Sequence, residues 1–206
     1  IAELREQAFP FVLLNRATRS AEDLAVVVDN HAAAVGVVAH LAALGHRRVG
    51  HIAGPQNTTT GADRRDGYRA GVLAYALADE PELVVEADAF SEEAGHRALG
   101  IMLAGSARPT AVFAANDLIA IGMLQRLREI GARVPGDLSI VGFNDIPLAG
   151  LLEPALTTVR VPQLEMGVAG AHLLIDRLEG RPIGDVRLTL PTQFVARASS
   201  AAPAAP

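Results

Sequence analysis

Three polar clusters stand out because each follows directly on an apolar run. The first is Gly54-Pro55-Gln56-Asn57-Thr58-Thr59-Thr60, behind Val49 to Ala53, with Arg64 one turn further on. Hydroxyls at the start of a helix beside a guanidinium make a site for an anion or a polyol. The same residues have a plainer use, with Thr60 as a helix cap and Arg64 in a surface ion pair with Asp63 or Asp66. The second and third clusters are Asn116-Asp117, behind Ala111 to Ala114, and Asn144-Asp145, behind the run that opens at Ser139. Amide and carboxylate together offer the donors and acceptors that sugar hydroxyls or the edge of a base require. Asp117 and Asp145 are equally suited to capping the helix or turn that follows, which leaves Asn116 and Asn144 as the stronger ligand candidates. Phe90 precedes a helix start at Ser91 in a chain with six phenylalanines, two tyrosines and no tryptophan. It is placed to stack on a ligand ring or to pack into the core.

Catalysis finds no machinery. There is no nucleophile elbow, no phosphate-binding loop of the Walker type and no dinucleotide glycine fingerprint opening a helix after a strand. Cysteine is absent, and the six histidines (His31, His40, His46, His51, His96, His172) include no pair at metal spacing beside a carboxylate. The expectation is a protein that is not an enzyme, with no cofactor and no metal. A net charge of −5 gives no broad basic face for a run of phosphates, so this chain alone should not bind DNA. No apolar run approaches the roughly 18 residues of a membrane helix and no charged-then-apolar leader opens the chain, which favours a cytoplasmic location and no membrane partner.

The elements that must position these clusters alternate in type. Strands are expected at Phe11 to Leu14, Ala25 to Val28, Val49 to Ala53, Leu83 to Glu86, Ala111 to Ala114, Ser139 to Phe143 and Arg187 to Leu190. Helices fall between them at Ala32 to Leu44, Gly61 to Ala78, Ser91 to Ala104, Asp117 to Ile130 and Gln163 to Glu179, four of them stopped by Gly45, Gly105, Gly131 and Gly180 in left-handed caps. Strand and helix in alternation mean βαβ units on a parallel sheet, where ligands sit at the carboxyl ends of the strands. All three polar clusters lie at such ends. The proline-punctuated stretch Pro154 to Pro162 reads as a crossing between two lobes, and Ser199 to Pro206 as a frayed tail.

Taken together, Leu44-Gly45-His46-Arg47-Arg48-Val49-Gly50-His51-Ile52-Ala53-Gly54-Pro55, Arg64 to Tyr68, Arg108-Pro109-Thr110-Ala111-Val112-Phe113-Ala114-Ala115-Asn116-Asp117, and Val134-Pro135-Gly136-Asp137-Leu138-Ser139-Ile140-Val141-Gly142-Phe143-Asn144-Asp145-Ile146-Pro147 resemble the lactose-repressor (LacI/GalR) family. Leu156-Thr157-Thr158-Val159-Arg160 continues the match, which runs from about Pro10 to Arg197. The resemblance implies a periplasmic-binding-protein-like α/β fold of two Rossmann-like lobes, here with the first lobe incomplete. Its expected division is residues 1–29 as a remnant of the first lobe, 30–157 as the second, 158–184 as a return to the first, 185–197 as a final strand in the second and 198–206 as a disordered tail.

In function, the resemblance implies the effector-sensing, dimerising core of a repressor. Such a core binds a small polar ligand, most often a sugar, in a cleft between the lobes and changes operator affinity. Operator DNA would be met only through an N-terminal head outside this chain. Carried over position by position, the family's effector contacts fall on Thr58, Thr60, Arg64, Phe90, Asn116 and Asn144, with Arg16, Asp29 and Asp145 at the cleft edge. The last contact is usually aspartate in the family and is Asn144 here, which disfavours a cationic effector. The helix Asp117 to Ile130 is apolar on two sides, with Ile119, Met123, Leu127 and Ile130 on one and Leu118, Ile121 and Leu124 on the other. By the resemblance the second side faces a twin subunit in a homodimer, with Leu148, Leu151 and Leu152 beside it. The competing reading is a solute-binding protein of a sugar transporter, which shares the fold but carries an export leader and stays monomeric.

Overall fold

The structure is a computed structural model and describes residues 1–18, 20 and 22–204. In chain order its elements are α1 (Ala2–Glu6), β1 (Leu13–Leu14), β2 (Ala25–Val28), α2 (Asn30–Ala43), β3 (Val49–Ala53), α3 (Thr59–Ala74), β4 (Val84–Glu86), α4 (Glu92–Ala104), β5 (Ala111–Ala114), α5 (Asp117–Glu129), β6 (Ser139–Val141), β7 (Thr158–Arg160), α6 (Gln163–Leu178), β8 (Arg187–Leu190) and β9 (Gln193–Val195). Short 3-10 turns occupy Pro81–Leu83 and Pro147–Gly150. The chain forms two compact units. Unit 1 comprises Ile1–Asp29 and Pro162–Thr192, and unit 2 comprises Asn30–Val161 and the chain from Gln193.

Unit 1 is built on a three-stranded parallel sheet in the order β1-β2-β8. Its central strand β2 is an uninterrupted Ala-Val-Val-Val run, as expected where both faces are covered, whereas β8 alternates exposed Arg187 and Thr189 with half-buried Leu188 and Leu190. Helix α6 packs on β1 and β2.

Unit 2 carries a four-stranded parallel sheet in the order β4-β3-β5-β6. Strands β3, β5 and β6 are buried at every position, so both sheet faces are covered. The helices pack in pairs, α2 on α3 and α4 on α5. The second pair can close only because Gly95 and Gly122 lack side chains. A Cβ on Gly95 would lie 2.2 Å from the Ile119 carbonyl oxygen, and one on Gly122 1.8 Å from that of Glu92. A small antiparallel ladder, β7 with β9, joins the two chain segments that run between the units.

Several sequence expectations change. The run 185–197 is not one strand. Arg187–Leu190 pairs with β2 in unit 1, and only Gln193–Val195 belongs to unit 2. Pro191 between them supplies no N–H to continue a ladder. The segment returning to unit 1 spans Pro162–Thr192 rather than 158–184, because β7 stays with unit 2. Residues 198–204 are not frayed. Ile140 N–H donates to the Ser199 carbonyl at 2.8 Å, Ser199 Oγ donates to the Ile140 carbonyl at 2.6 Å, and the His46 ring pairs with Thr110 Oγ1 at 2.8 Å and with the Ala201 carbonyl at 2.9 Å. Small residues without a periodic pattern fit flat along a sheet edge, where backbone groups rather than side chains do the holding. Positions 205 and 206 of the expected tail lie outside the described residues. Gly45, Gly131 and Gly180 are left-handed caps, but Gly105 is extended at φ −70°.

Candidate functional site

The carboxyl ends of β3, β5 and β6 lie side by side in unit 2, and the three polar clusters stand on them. After β3 the loop turns at Thr58, whose Oγ1 accepts the Gly61 N–H at 3.1 Å and so caps α3. Thr60, the residue expected to cap, is instead buried and lies 3.4 Å from Thr58 Oγ1. One turn on, Arg64 points under the helix, not outward, and is 2% exposed. The surface ion pair with Asp63 or Asp66 is therefore not its role. Its Nε donates to Asn30 Oδ1 at 2.8 Å, Nη1 to the Ala115 carbonyl at 2.6 Å and Nη2 to Asn144 Oδ1 at 3.4 Å. The guanidinium carbon sits 3.7 Å from the centre of the Phe143 ring. One planar cation thus gathers the start of α2, the end of β5 and the loop after β6. Burial lowers its pKa to about 9, against the opposing charges of Asp117 and Asp63.

The two Asn-Asp pairs divide their labour differently from the expectation. At the first, Asn116 is the cap of α5, its Oδ1 accepting Ile119 N–H at 2.9 Å. Asp117 is fully buried and accepts the Thr158 hydroxyl at 2.6 Å and the Ile146 N–H at 2.9 Å. Burial pushes its carboxyl above the usual range, and the bond from Thr158 works against that rise. At the second pair no α-helix follows. Asn144 (φ 117°) and Asp145 (φ 56°) are both left-handed, and the cap of the following 3-10 turn is Ile146 rather than Asp145. Asp145 pairs with Arg160 at 2.6 Å and Arg197 at 2.7 Å.

Phe90 lies against the end of β3, where a Cβ on Gly54 would come within 2.2 Å of its ring, and it packs half-buried on the core of unit 2. Beneath Arg64 runs a layer of rings. His51 stacks between Tyr68 at 4.9 Å and Phe113 at 4.7 Å, and Phe113 meets Phe143 at 6.4 Å. His51 Nδ1 donates to the Phe113 carbonyl at 2.9 Å, and burial lowers its pKa to about 4, so the layer is uncharged at neutral pH.

Sequence reading missed two asparagines. Asn30, not Asp29, holds Arg64, while Asp29 is exposed. In unit 1, Arg16 is exposed, but its neighbour Asn15 is left-handed (φ 55°) and has a buried Oδ1 with no hydrogen-bond partner. Both follow strand ends, the signal that found Asn116 and Asn144. Of the apolar residues expected at a subunit contact, Leu118, Leu148 and Leu151 are 36%, 44% and 79% exposed. Leu124 and Leu152 pack half-buried on the core, and Ile121 is buried. Ile130, expected on the buried face of α5, is exposed just past its end. Among the described residues no cluster of His, Cys, Asp and Glu is placed to hold a metal ion. No helix among them is long and apolar enough to cross a membrane.

With this geometry in hand, the comparisons define a class. Residues 38–200 match the family model described as a periplasmic binding protein-like domain. The relatives narrow it further. The chain is 34% identical over 193 residues to the HTH-type transcriptional repressor CytR of Escherichia coli, covering 94% of this chain and 56% of that protein. It is 36% identical over 198 residues to the HTH-type transcriptional regulator CelR of Thermobifida fusca, covering 95% and 58%. Among solved structures, a CelR–cellobiose complex superposes with a TM-score of 0.89 at 36% identity, covering 96% of this chain and 61% of that one. A LacI-family regulator from Enterococcus faecium with bound ribose gives 0.84 at 28% identity, covering 98% and 74%. The chain belongs to the LacI family of transcriptional regulators, a family of non-enzymatic proteins, and spans a little over half the length of the curated relatives it matches.

Proposed function

We propose that this chain is the effector-sensing core of a transcriptional repressor and that it binds a small polar ligand, a sugar, at the carboxyl end of the unit 2 sheet. The observation that carries the reading is the convergence of Arg64 and Asn144, with Asn116 after β5 and Thr60 at the start of α3, in a chain similar to regulators crystallised with cellobiose and with ribose. Asn144 and Arg64 supply an acceptor and donors to vicinal hydroxyls, Thr58 and Thr60 line the helix start, and the Phe90 ring offers an apolar face to a sugar ring. Asparagine at 144 favours a neutral ligand, since an amide both donates and accepts.

The assembled protein acts as a homodimer in the cytoplasm and meets operator DNA through a segment outside this chain. The exposed Leu118, Leu148 and Leu151 support the dimer, because Asp117 draws Ile146 to the start of α5 and so brings these leucines to one neighbourhood. Effector occupancy then shifts the population of conformations competent for DNA.

A thermal-shift screen of the full-length protein against ribose, cellobiose, glucose 6-phosphate and adenine tests the reading, since a ligand of the native state raises the melting temperature. A sugar-dependent rise is expected, weakened about tenfold or more in apparent affinity by Asn144→Ala. A rise with adenine alone replaces the sugar by a base. A rise indifferent to Asn144→Ala removes the site.

A further inference from the structure

The ligand loop after β6 is fastened to the segments that run between the units by a carboxylate that the effector reading leaves unused. Asp145 has a side chain only 5% exposed, yet it stands in a left-handed conformation directly after the left-handed Asn144. Two consecutive non-glycine residues at positive φ persist only where the surroundings hold them. What holds them here is specific. Asn144 N–H donates to the Val159 carbonyl at 2.8 Å and Val161 N–H to the Asn144 carbonyl at 3.2 Å, so the loop lies as an extra rung on β7. The Asp145 carboxylate takes Arg160 of β7 with one oxygen and Arg197, just beyond β9, with the other. Arg160 also reaches Gln193 Oε1 at 3.3 Å across the β7–β9 ladder, and Arg197 Nη1 donates to the Leu156 carbonyl at 2.8 Å. The chain enters unit 1 at Pro162 and returns at Gln193. One carboxylate thus ties the residue proposed to touch the ligand to both of these crossings.

We propose that Asp145 is a positioning residue for effector binding: through Arg160 and Arg197 it holds Asn144 in its left-handed pose toward Arg64 and makes the crossing strands β7 and β9 part of the binding site. This rests on the effector-sensing reading above. Asp145 itself has both oxygens occupied by arginines and is not a ligand contact. A charged partner on each crossing segment, Arg160 in β7 and Arg197 just past β9, gives the ligand loop a stiffness that packing alone would not, because each ion pair fixes direction as well as distance.

The test uses the full-length protein, titrated calorimetrically with ribose, cellobiose, glucose 6-phosphate and adenine, together with Asp145→Asn, Asp145→Glu and the milder Arg160→Gln at a half-exposed position. Hydrogen exchange at the Asn144 and Val161 amides reports the loop's seat on β7 without any ligand. The expected result is a loss of protection at these two amides in Asp145→Asn, with Ile52 and Phe113 unchanged. Affinity should fall about tenfold, with partial recovery in Asp145→Glu and a smaller fall in Arg160→Gln. Unchanged affinity in Asp145→Asn and Arg160→Gln, beside normal binding by the unaltered protein, overturns the proposal and leaves the sensor reading intact. Lost affinity with unchanged amide protection overturns it too, by making Asp145 a direct contact. No binding of any of the four compounds by the unaltered protein removes the sensor reading and this proposal together.

Discussion

Asn116-Asp117 and Asn144-Asp145 are the same dipeptide at the ends of neighbouring parallel strands, yet they are used in opposite ways. At the first, the backbone enters a helix, so the asparagine oxygen is used as a cap and the aspartate turns inward to Thr158 and Ile146. At the second, the backbone turns left-handed, the asparagine faces Arg64, and the aspartate is clasped by two arginines. What decides between them is the backbone that follows. A helix presents free N–H groups that a side-chain oxygen must satisfy, and a left-handed loop lying on a strand presents none.

The contrast is broken most severely at Asp117. Replacement by alanine leaves the Thr158 hydroxyl and the Ile146 N–H without their buried acceptor, and a loss of about 3 kcal/mol is expected in urea denaturation. A loss below about 1 kcal/mol would mean that water replaces the carboxylate with little cost.

Acid acts on the ring layer beneath both pairs. His51 folds neutral with a pKa of about 4, while in the unfolded chain it titrates near 6.5. The stability from its neutral burial is fully present above about pH 6.5 and declines as pH falls toward 4, by about 3 kcal/mol at most. Burial lowers the pKa of His40 and His46 as well, adding in the same direction. His51→Phe should flatten this decline in unfolding curves across pH 4 to 7; an unaltered slope would assign it to the other histidines. Comparison of the two Asn-Asp pairs is therefore cleanest above about pH 7.

The smallest effects carry opposite signs at the two asparagines. Asn116→Ala removes a cap and should cost about 1 kcal/mol. Asn144→Gly relieves a φ of 117° and should stabilise the free protein by up to about 1 kcal/mol while weakening the ligand, so melting temperature and affinity move apart. Destabilisation by Asn144→Gly would show that the amide is held for folding, not for binding.

Much of this was legible in the sequence. Strands β2, β3, β5 and β8 fall where apolar and β-branched runs put them, and the five long helices start and stop within a few residues of their amphipathic patterns. The clusters at the strand ends were found by the same rule that places ligands in parallel sheets. Direction was not legible. Nothing in Thr-Thr-Gly-Ala-Asp-Arg says that Arg64 turns under its helix, because its partners Asn30, Ala115 and Asn144 lie 34, 51 and 80 residues away. The three-residue strands β7 and β9 are too short to show a period, and their register rests on pairing across more than thirty residues. The seating of Ser199 and Ala201 was invisible for a related reason, since backbone groups hold that segment and every residue type carries them.

That last seat bears on how the protein is made. Unit 2 begins at Asn30, but the donor of Ile140 and Nε2 of His46 find their partners only when residues 199 and 201 have been synthesised, after the whole excursion through unit 1. A chain emerging from the ribosome N-terminus first therefore carries the Ile140 end of the β6 edge unpaired through the translation of some sixty residues, the interval in which an unpaired strand is most exposed to wrong partners. Completion of this edge waits on small residues made some sixty positions after the strand they cover.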